Sequence, residues 1–235
     1  MSVPTAGRTN LVLVGATGIV GGYALRFALE HPAVERVTAI GRRTLGISHA
    51  KLKEVMHPNF GDCSALAESL SNQDSAIFCL GAYTGAASDP TLRVITVDYT
   101  VEFARVLHTK SPSVEFAFLS GRGADPTGKS RIAFARYKGE AESALLVAEF
   151  HAVHIFRPAY IYPVKPRNEP NLGYRLLRAI YPVFRMLFPN QVIPADDFAR
   201  VMVDVAVRRT KERRTSVFEN NDIRAMVEWL QRLTE

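Results

Sequence analysis

Gly15, Gly18 and Gly21 recur at intervals of three, directly after the apolar run of residues 10–14 and at the head of a helical pattern. Backbone at such a turn approaches a pyrophosphate so closely that a Cβ would push the phosphate out. The helix N-terminus adds N–H groups and the positive end of its dipole. A glycine triplet alone means only a tight turn, but in the first strand-to-helix turn of an alternating chain it points to dinucleotide binding. The second strand narrows the choice. Sites for NAD usually carry Asp or Glu there, bonded to the ribose 2′-hydroxyl. This chain has Gly41-Arg42-Arg43, and the nearest acid before them is Glu35. Two guanidinium groups suit a 2′-phosphate, so NADP(H) is the expected cofactor. The plainer reading makes Arg42 and Arg43 exposed strand-end residues.

A second stretch competes for phosphate. Gly123-Ala-Asp-Pro-Thr-Gly128-Lys129-Ser130 satisfies the pattern G-x-x-x-x-G-K-S, in which Lys129 would meet β/γ-phosphates and Ser130 a Mg²⁺ ion. Three residues, Ser120 to Arg122, separate it from the preceding apolar strand, and no other apolar strand ends in the Asp expected for a second Mg²⁺ contact. A surface loop is therefore expected here.

These groups need elements to hold them. Short apolar runs at 10–14, 37–40, 54–57, 76–80, 114–119 and 152–156 alternate with helical patterns at 23–30, 92–108 and 130–150. Strands of four to six residues alternating with helices predict an α/β fold, a doubly wound parallel sheet of Rossmann type in one domain spanning 1–235. Beyond Pro158 the rhythm fails. A proline-rich, basic, aromatic stretch, about 158–194, is expected as a substrate-side segment of the same domain. Within it, residues 172–188 mix Leu, Ile, Tyr and Phe with Arg175, Arg178 and Arg185, as the roof of an apolar pocket or a peripheral contact with an anionic membrane would. The acids Asp196 and Asp197 fit a helix N-terminus, Trp229 fits the core side of the final helix, and the run RRTKERR (208–214) fits a helix end.

With GATGIVG, GRR, FCLGAYTG, VDY, FLSGRGAD, KGEAE and FRPAYIY in this order, the chain resembles the atypical short-chain dehydrogenase/reductase superfamily. Within it the closest likeness is to the Tat-interacting-protein, oxidoreductase-like branch, related to the NmrA-like proteins. The resemblance implies NADPH lying across the strand ends. Gly15, Thr17, Gly18, Ile19 and Val20 would cradle the pyrophosphate, and Arg42 and Arg43 would hold the 2′-phosphate. Asp62 and Cys63 would lie near the adenine, Leu80, Gly81 and Ala82 would line the ribose, and Pro158, Ala159 and Tyr160 would flank the nicotinamide.

The resemblance also implies a catalytic trio of Ser, then Tyr-x-x-x-Lys on one helix face. Ser120 and Lys138 match, with Lys138 also on the nicotinamide ribose, but the tyrosine position holds Phe134. A phenyl ring donates no proton, and loss of a positioned acid forfeits about 10²–10⁴-fold in rate. Tyr137 lies roughly 60° round the helix and ~4.5 Å further along. It, Tyr83 and Tyr160 are either substitute donors or packing residues. The expectation is an NADP(H)-binding oxidoreductase reducing a small apolar carbonyl or enone weakly, or a non-catalytic sensor or scaffold whose affinity for a regulatory protein follows bound NADP(H).

Composition bounds the rest. Hydrophobic residues at 47% and charged residues at 22% exclude wholesale disorder. No apolar run reaches the ~18–20 residues of a membrane span, and the start lacks the pattern of a signal peptide. The two cysteines make no disulfide framework or metal cluster, and no metal is expected. A soluble protein of the reducing cytoplasm is the resulting expectation. The net charge of +6 arises between Arg157 and Arg214, with 12 Lys/Arg against 5 Asp/Glu. Such a patch suits phosphate, a lipid surface or plain solvent, with nucleic acid disfavoured as partner.

Overall fold

The computed structural model describes residues 8–82, 88–164, 187–210 and 212–233. Its centre is a parallel sheet built from β1 (Thr9–Val14), β2 (Val34–Gly41), β3 (Leu52–Met56), β4 (Ser75–Phe78), β5 (Glu115–Leu119), β6 (Ala152–Arg157) and β9 (Arg214–Glu219). The strand order is β3-β2-β1-β4-β5-β6-β9, every neighbouring pair parallel. Chain direction across the sheet reverses between β1 and β4, and in open α/β sheets ligands bind outside the strand C-termini at that reversal. The fold is the doubly wound Rossmann type expected. Among the described residues no helix is long and apolar enough to cross a membrane.

Both faces of the sheet are covered, and the strands show why. In β1, Leu11 and Leu13 enter one core while Val12 and Val14 enter the other. The first core packs under α1 (Ile19–Glu30) and α5 (Ala195–Arg208), through Val20, Ala24 and Leu25 from α1 and Phe198 and Met202 from α5. The second lies under α3 (Tyr99–Lys110) and α4 (Ala133–Val147). Its centre is aromatic, with Phe78 5.3 Å from Phe103 and Phe116 5.0 Å from Phe150 between ring centroids. A short α2 (Asp89–Arg93) runs through a π-helical turn, Val94–Asp98, into α3.

Several boundaries differ from the sequence reading. The helix expected from residue 130 begins at Ala133, because Asp125 folds the residues before it into a separate loop. In the basic run 208–214 only Arg208 belongs to α5; Arg214 opens β9, whose mostly exposed, polar residues hide its strand character. Beyond Pro158 a second, two-stranded parallel sheet joins β7 (Tyr160–Tyr162) to β8 (Val192–Pro194). Trp229, on the final helix α6 (Asn220–Arg232), is not core: it is 37% exposed, and the Arg208 guanidinium lies 4.3 Å from its ring centre. Tyr83 and most of the aromatic, basic stretch 172–188 lie outside the described residues.

Candidate functional site

The glycine turn packs against the strand across the reversal. Gly15 has φ +90°, and a Cβ there would stand 2.8 Å from the Cys79 carbonyl carbon, just past β4. A Cβ on Gly21 would come within 2.2 Å of the Gly15 oxygen, so this glycine lets α1 sit directly on the turn. Gly18 donates its N–H to the Gly15 oxygen at 2.8 Å and caps α1 with backbone alone. No side chain caps this helix, and its first turn holds no acid. The N-terminus beside Thr17, Ile19 and Val20 thus keeps both dipole and N–H groups for an anion, which fits a pyrophosphate.

Arg42 and Arg43 follow β2 as exposed residues. Arg43 turns back over the glycine loop, its Nη2 3.4 Å from Thr17 Oγ1. Between them lies a small cleft lined by Ala16, Thr17, Gly41, Arg43, Leu45 and Glu54. Glu54 on β3 was not singled out from the sequence. It is eleven positions past Arg43, and only the strand pairing of Ala39 with Glu54 brings it into the same cleft.

Asp62 and Cys63 follow β3 and a short turn. Asp62 is exposed and accepts the Ser64 N–H at 2.9 Å; hydrogen bonds from Ser64 hold its carboxyl below the usual carboxylate range. Cys63 is fully buried, its N–H bonded to Glu102 at 3.0 Å and its thiol pushed up to about 12 by burial. Its side chain belongs to the core. Leu80 and Ala82 are half-buried and Gly81 exposed at the end of β4.

On the β5 side, polar groups bond to one another. Ser120 is 5% exposed, and its hydroxyl donates to Glu142 on α4. Glu142 is held by Arg157 through two hydrogen bonds, at 3.0 and 2.6 Å, and Arg157 reaches on to Glu219 at 3.0 Å. These bonds raise the already high Arg157 pKa. Glu142 and Arg157 lie in the KGEAE and FRPAYIY stretches, but neither was given a site role from the sequence, because their contact depends on the register of helix against sheet.

Lys138 lies beside this network. Its Nζ donates to the Leu119 carbonyl at 2.7 Å and sits 4.7 Å from the Phe118 ring centre. Burial lowers its pKa to about 8, against the opposing pull of Cys79 and Glu142. Phe134 stacks where Gly121 leaves room; a Cβ on Gly121 would meet the ring at 2.8 Å. Tyr137 points elsewhere, its hydroxyl donating to Asp89 at 2.8 Å, which takes it out of the set of substitute donors. Pro158 is buried and Ala159 and Tyr160 half-buried; the stretch is anchored by Asn220, whose Oδ1 accepts the Ala159 N–H at 2.9 Å, while the Pro158 carbonyl accepts from Arg122 N–H at 2.9 Å. Glycine turn, Arg43 and Glu54 thus meet in one place, and Ser120, Lys138 and Phe134 in another.

The loop with the G-x-x-x-x-G-K-S pattern is closed by its own carboxylate. Asp125 accepts from Thr127 N–H at 2.9 Å, Thr127 Oγ1 at 2.6 Å and Ser130 N–H at 2.6 Å. Amides that would cradle a phosphate therefore face an internal acid. The loop also lies hard on α4, since a Cβ on Gly139 would fall 2.1 Å from Asp125 backbone. It is the surface loop expected.

Fold and turn together define a protein of the Rossmann class. Solved structures with this fold include MoeE5 in complex with UDP-glucose and NAD (TM-score 0.66, 15% identity, 94% of this chain and 81% of that one). The Bordetella bronchiseptica enzyme WbmG in complex with NAD (0.67, 12%, 99% and 80%) and the oxidoreductase ylbE from Lactococcus lactis (0.63, 14%, 93% and 97%) share it too. No family model matches the chain. Among curated proteins, "Protein fmp52, mitochondrial" of Aspergillus clavatus is 30% identical over 167 residues, covering 68% of this chain and 70% of the relative. Its namesake in Saccharomyces cerevisiae is 25% identical over 221 residues, covering 91% and 94%. The chain belongs to the fmp52 family. Its matched relatives carry that name rather than one from the Tat-interacting branch. They are also named mitochondrial, which overturns the expectation of a cytoplasmic protein.

Proposed function

We propose that this protein is a mitochondrial, NADP(H)-binding oxidoreductase of the atypical short-chain dehydrogenase/reductase class, acting on a small apolar carbonyl or enone. The observation that carries this is the uncapped, acid-free start of α1, set against the end of β4, with Arg43 lying over the turn. Gly15, Thr17, Gly18, Ile19 and Val20 would hold the pyrophosphate and Arg42 and Arg43 the 2′-phosphate. The hydride for the carbonyl carbon would come from the dihydronicotinamide of the cofactor held there.

The proton for the carbonyl oxygen then comes from this chain. Phe134 has none to give, and the Ser120 hydroxyl proton points to Glu142. Lys138, its pKa lowered to about 8 by burial, is the donor this reading assigns, and its amine would regain the proton from water. A buried lysine tuned toward neutrality suits this task better than one at its ordinary value.

The second reading, a non-catalytic sensor of NADP(H), draws support from Ser120 being tied to Glu142 and Phe134 being seated on Gly121. Turnover decides between them. NADPH oxidation by the purified protein over a panel of apolar aldehydes, ketones and enones should be detectable, and should be lost in Lys138→Met. Tight NADPH binding with no turnover on any member would favour the sensor.

A further inference from the structure

The cleft between the glycine turn and β3 holds two side chains with opposite preferences. Arg43 lines one side, tethered to Thr17. Glu54 lines the other, half-buried on β3 and directly across the ladder from Ala39. Glu54 Oε1 accepts the Leu45 N–H at 2.7 Å, which pins the loop that follows Arg42 and Arg43. Its other oxygen keeps lone pairs for a second donor.

A ribose 2′-hydroxyl is such a donor, whereas a 2′-phosphate carries only acceptors and negative charge. One carboxylate therefore favours the hydroxyl and opposes the phosphate, and one guanidinium does the reverse. In most dinucleotide folds the acid that meets the ribose stands at the end of the second strand. Here that end carries arginines, and the acid that lines the cleft, Glu54, stands on the third strand.

We propose that Glu54 is a specificity-determining residue of the dinucleotide cleft, accepting from the adenosine ribose of NADH while Arg43 pairs with the 2′-phosphate of NADPH, so that the site takes both. This rests on the dinucleotide reading above and deepens it. The cleft is not a pure NADP(H) site; its two charges hold the preference for either cofactor close to balance.

Calorimetric titration with NADPH and NADH tests it, using the unaltered protein and Glu54→Gln. The glutamine keeps an oxygen for the Leu45 N–H but removes the charge. The unaltered protein should bind both dinucleotides with affinities within about tenfold, and E54Q should raise the NADPH-to-NADH affinity ratio by about tenfold, the worth of one charge-assisted hydrogen bond. A ratio changed less than about twofold, or equal weakening of both cofactors, would overturn the proposal and leave Glu54 a mere loop tether. Should E54Q fold poorly, the unaltered protein still decides. Added salt should weaken NADPH far more than NADH, and parallel weakening, or no NADH binding at all, contradicts the proposal. If neither dinucleotide binds, the dinucleotide reading fails and Glu54 falls with it.

Discussion

The two candidate regions at the strand ends treat their polar groups differently. Around β1, β2 and β3, hydrogen-bonding capacity is left open: an uncapped helix start, exposed arginines and a carboxylate with one oxygen to spare. Around β5 and β6 it is closed inward. Ser120 bonds to Glu142, Glu142 to Arg157, and Arg157 to Glu219, while Lys138 bonds to a backbone carbonyl. Open groups suit a ligand, and groups satisfied by one another suit a rigid frame. The comparison teaches that one fold can keep an open anion-binding turn at one set of strand ends while the polar groups at another set are spent on one another around a buried lysine.

The largest effect should come from the closed half. Glu142→Gln removes one partner of a nearly buried ion pair and should cost about 3–5 kcal/mol in urea unfolding. If the loss is below about 1 kcal/mol, the network is not the frame described. Next, Gly21→Ala drives a Cβ to 2.2 Å from the Gly15 oxygen. That should cost about 1–3 kcal/mol and abolish NADPH binding together, since turn and helix start are one unit.

Lys138→Met gives a smaller effect of the opposite sign. A lysine whose folded pKa is about 8, below its ordinary 10.5, burdens the folded state at neutral pH. Between those values the unfolded chain holds more protons, so the unaltered protein gains stability as pH rises from 8 to 10.5. The methionine variant should be about 1–2 kcal/mol more stable at pH 7, an advantage that shrinks across that window. By the same titration, turnover should fall as pH passes 8. The smallest effect is a gain: Phe134→Tyr restores a hydroxyl on the face of Lys138 and should raise turnover about tenfold. No gain on any substrate would sharpen the contrast, since Phe134 would then be part of the frame.

Sequence and structure agree best where one local pattern suffices. The apolar run of residues 10–14 marks a strand buried on both faces, and three glycines mark the turn without knowledge of anything distant. Glu54 escaped because its neighbours in the cleft come from another strand. Ser120 and Glu142 are 22 residues apart, and Arg157 and Glu219 are 62 apart. Such pairs arise only from packing, so Glu142, Arg157 and Glu219 look like ordinary charges in the chain, and Ser120, though singled out, gives no sign of its partner. Cys63, expected beside the adenine with Asp62, turns its side chain into the core, which its place in the chain does not reveal. The G-x-x-x-x-G-K-S stretch misleads for a related reason, since Asp125 inside the pattern occupies the amides a phosphate would need.

The most direct test of the open half is a titration of the purified protein with NADPH, beside the double variant Arg42→Ala/Arg43→Ala. NADPH should bind the unaltered protein and lose at least about tenfold in the variant, while NADH affinity stays nearly level. Equal NADPH affinity in both proteins, or no binding by either, would contradict the assignment of this cleft to a 2′-phosphorylated dinucleotide.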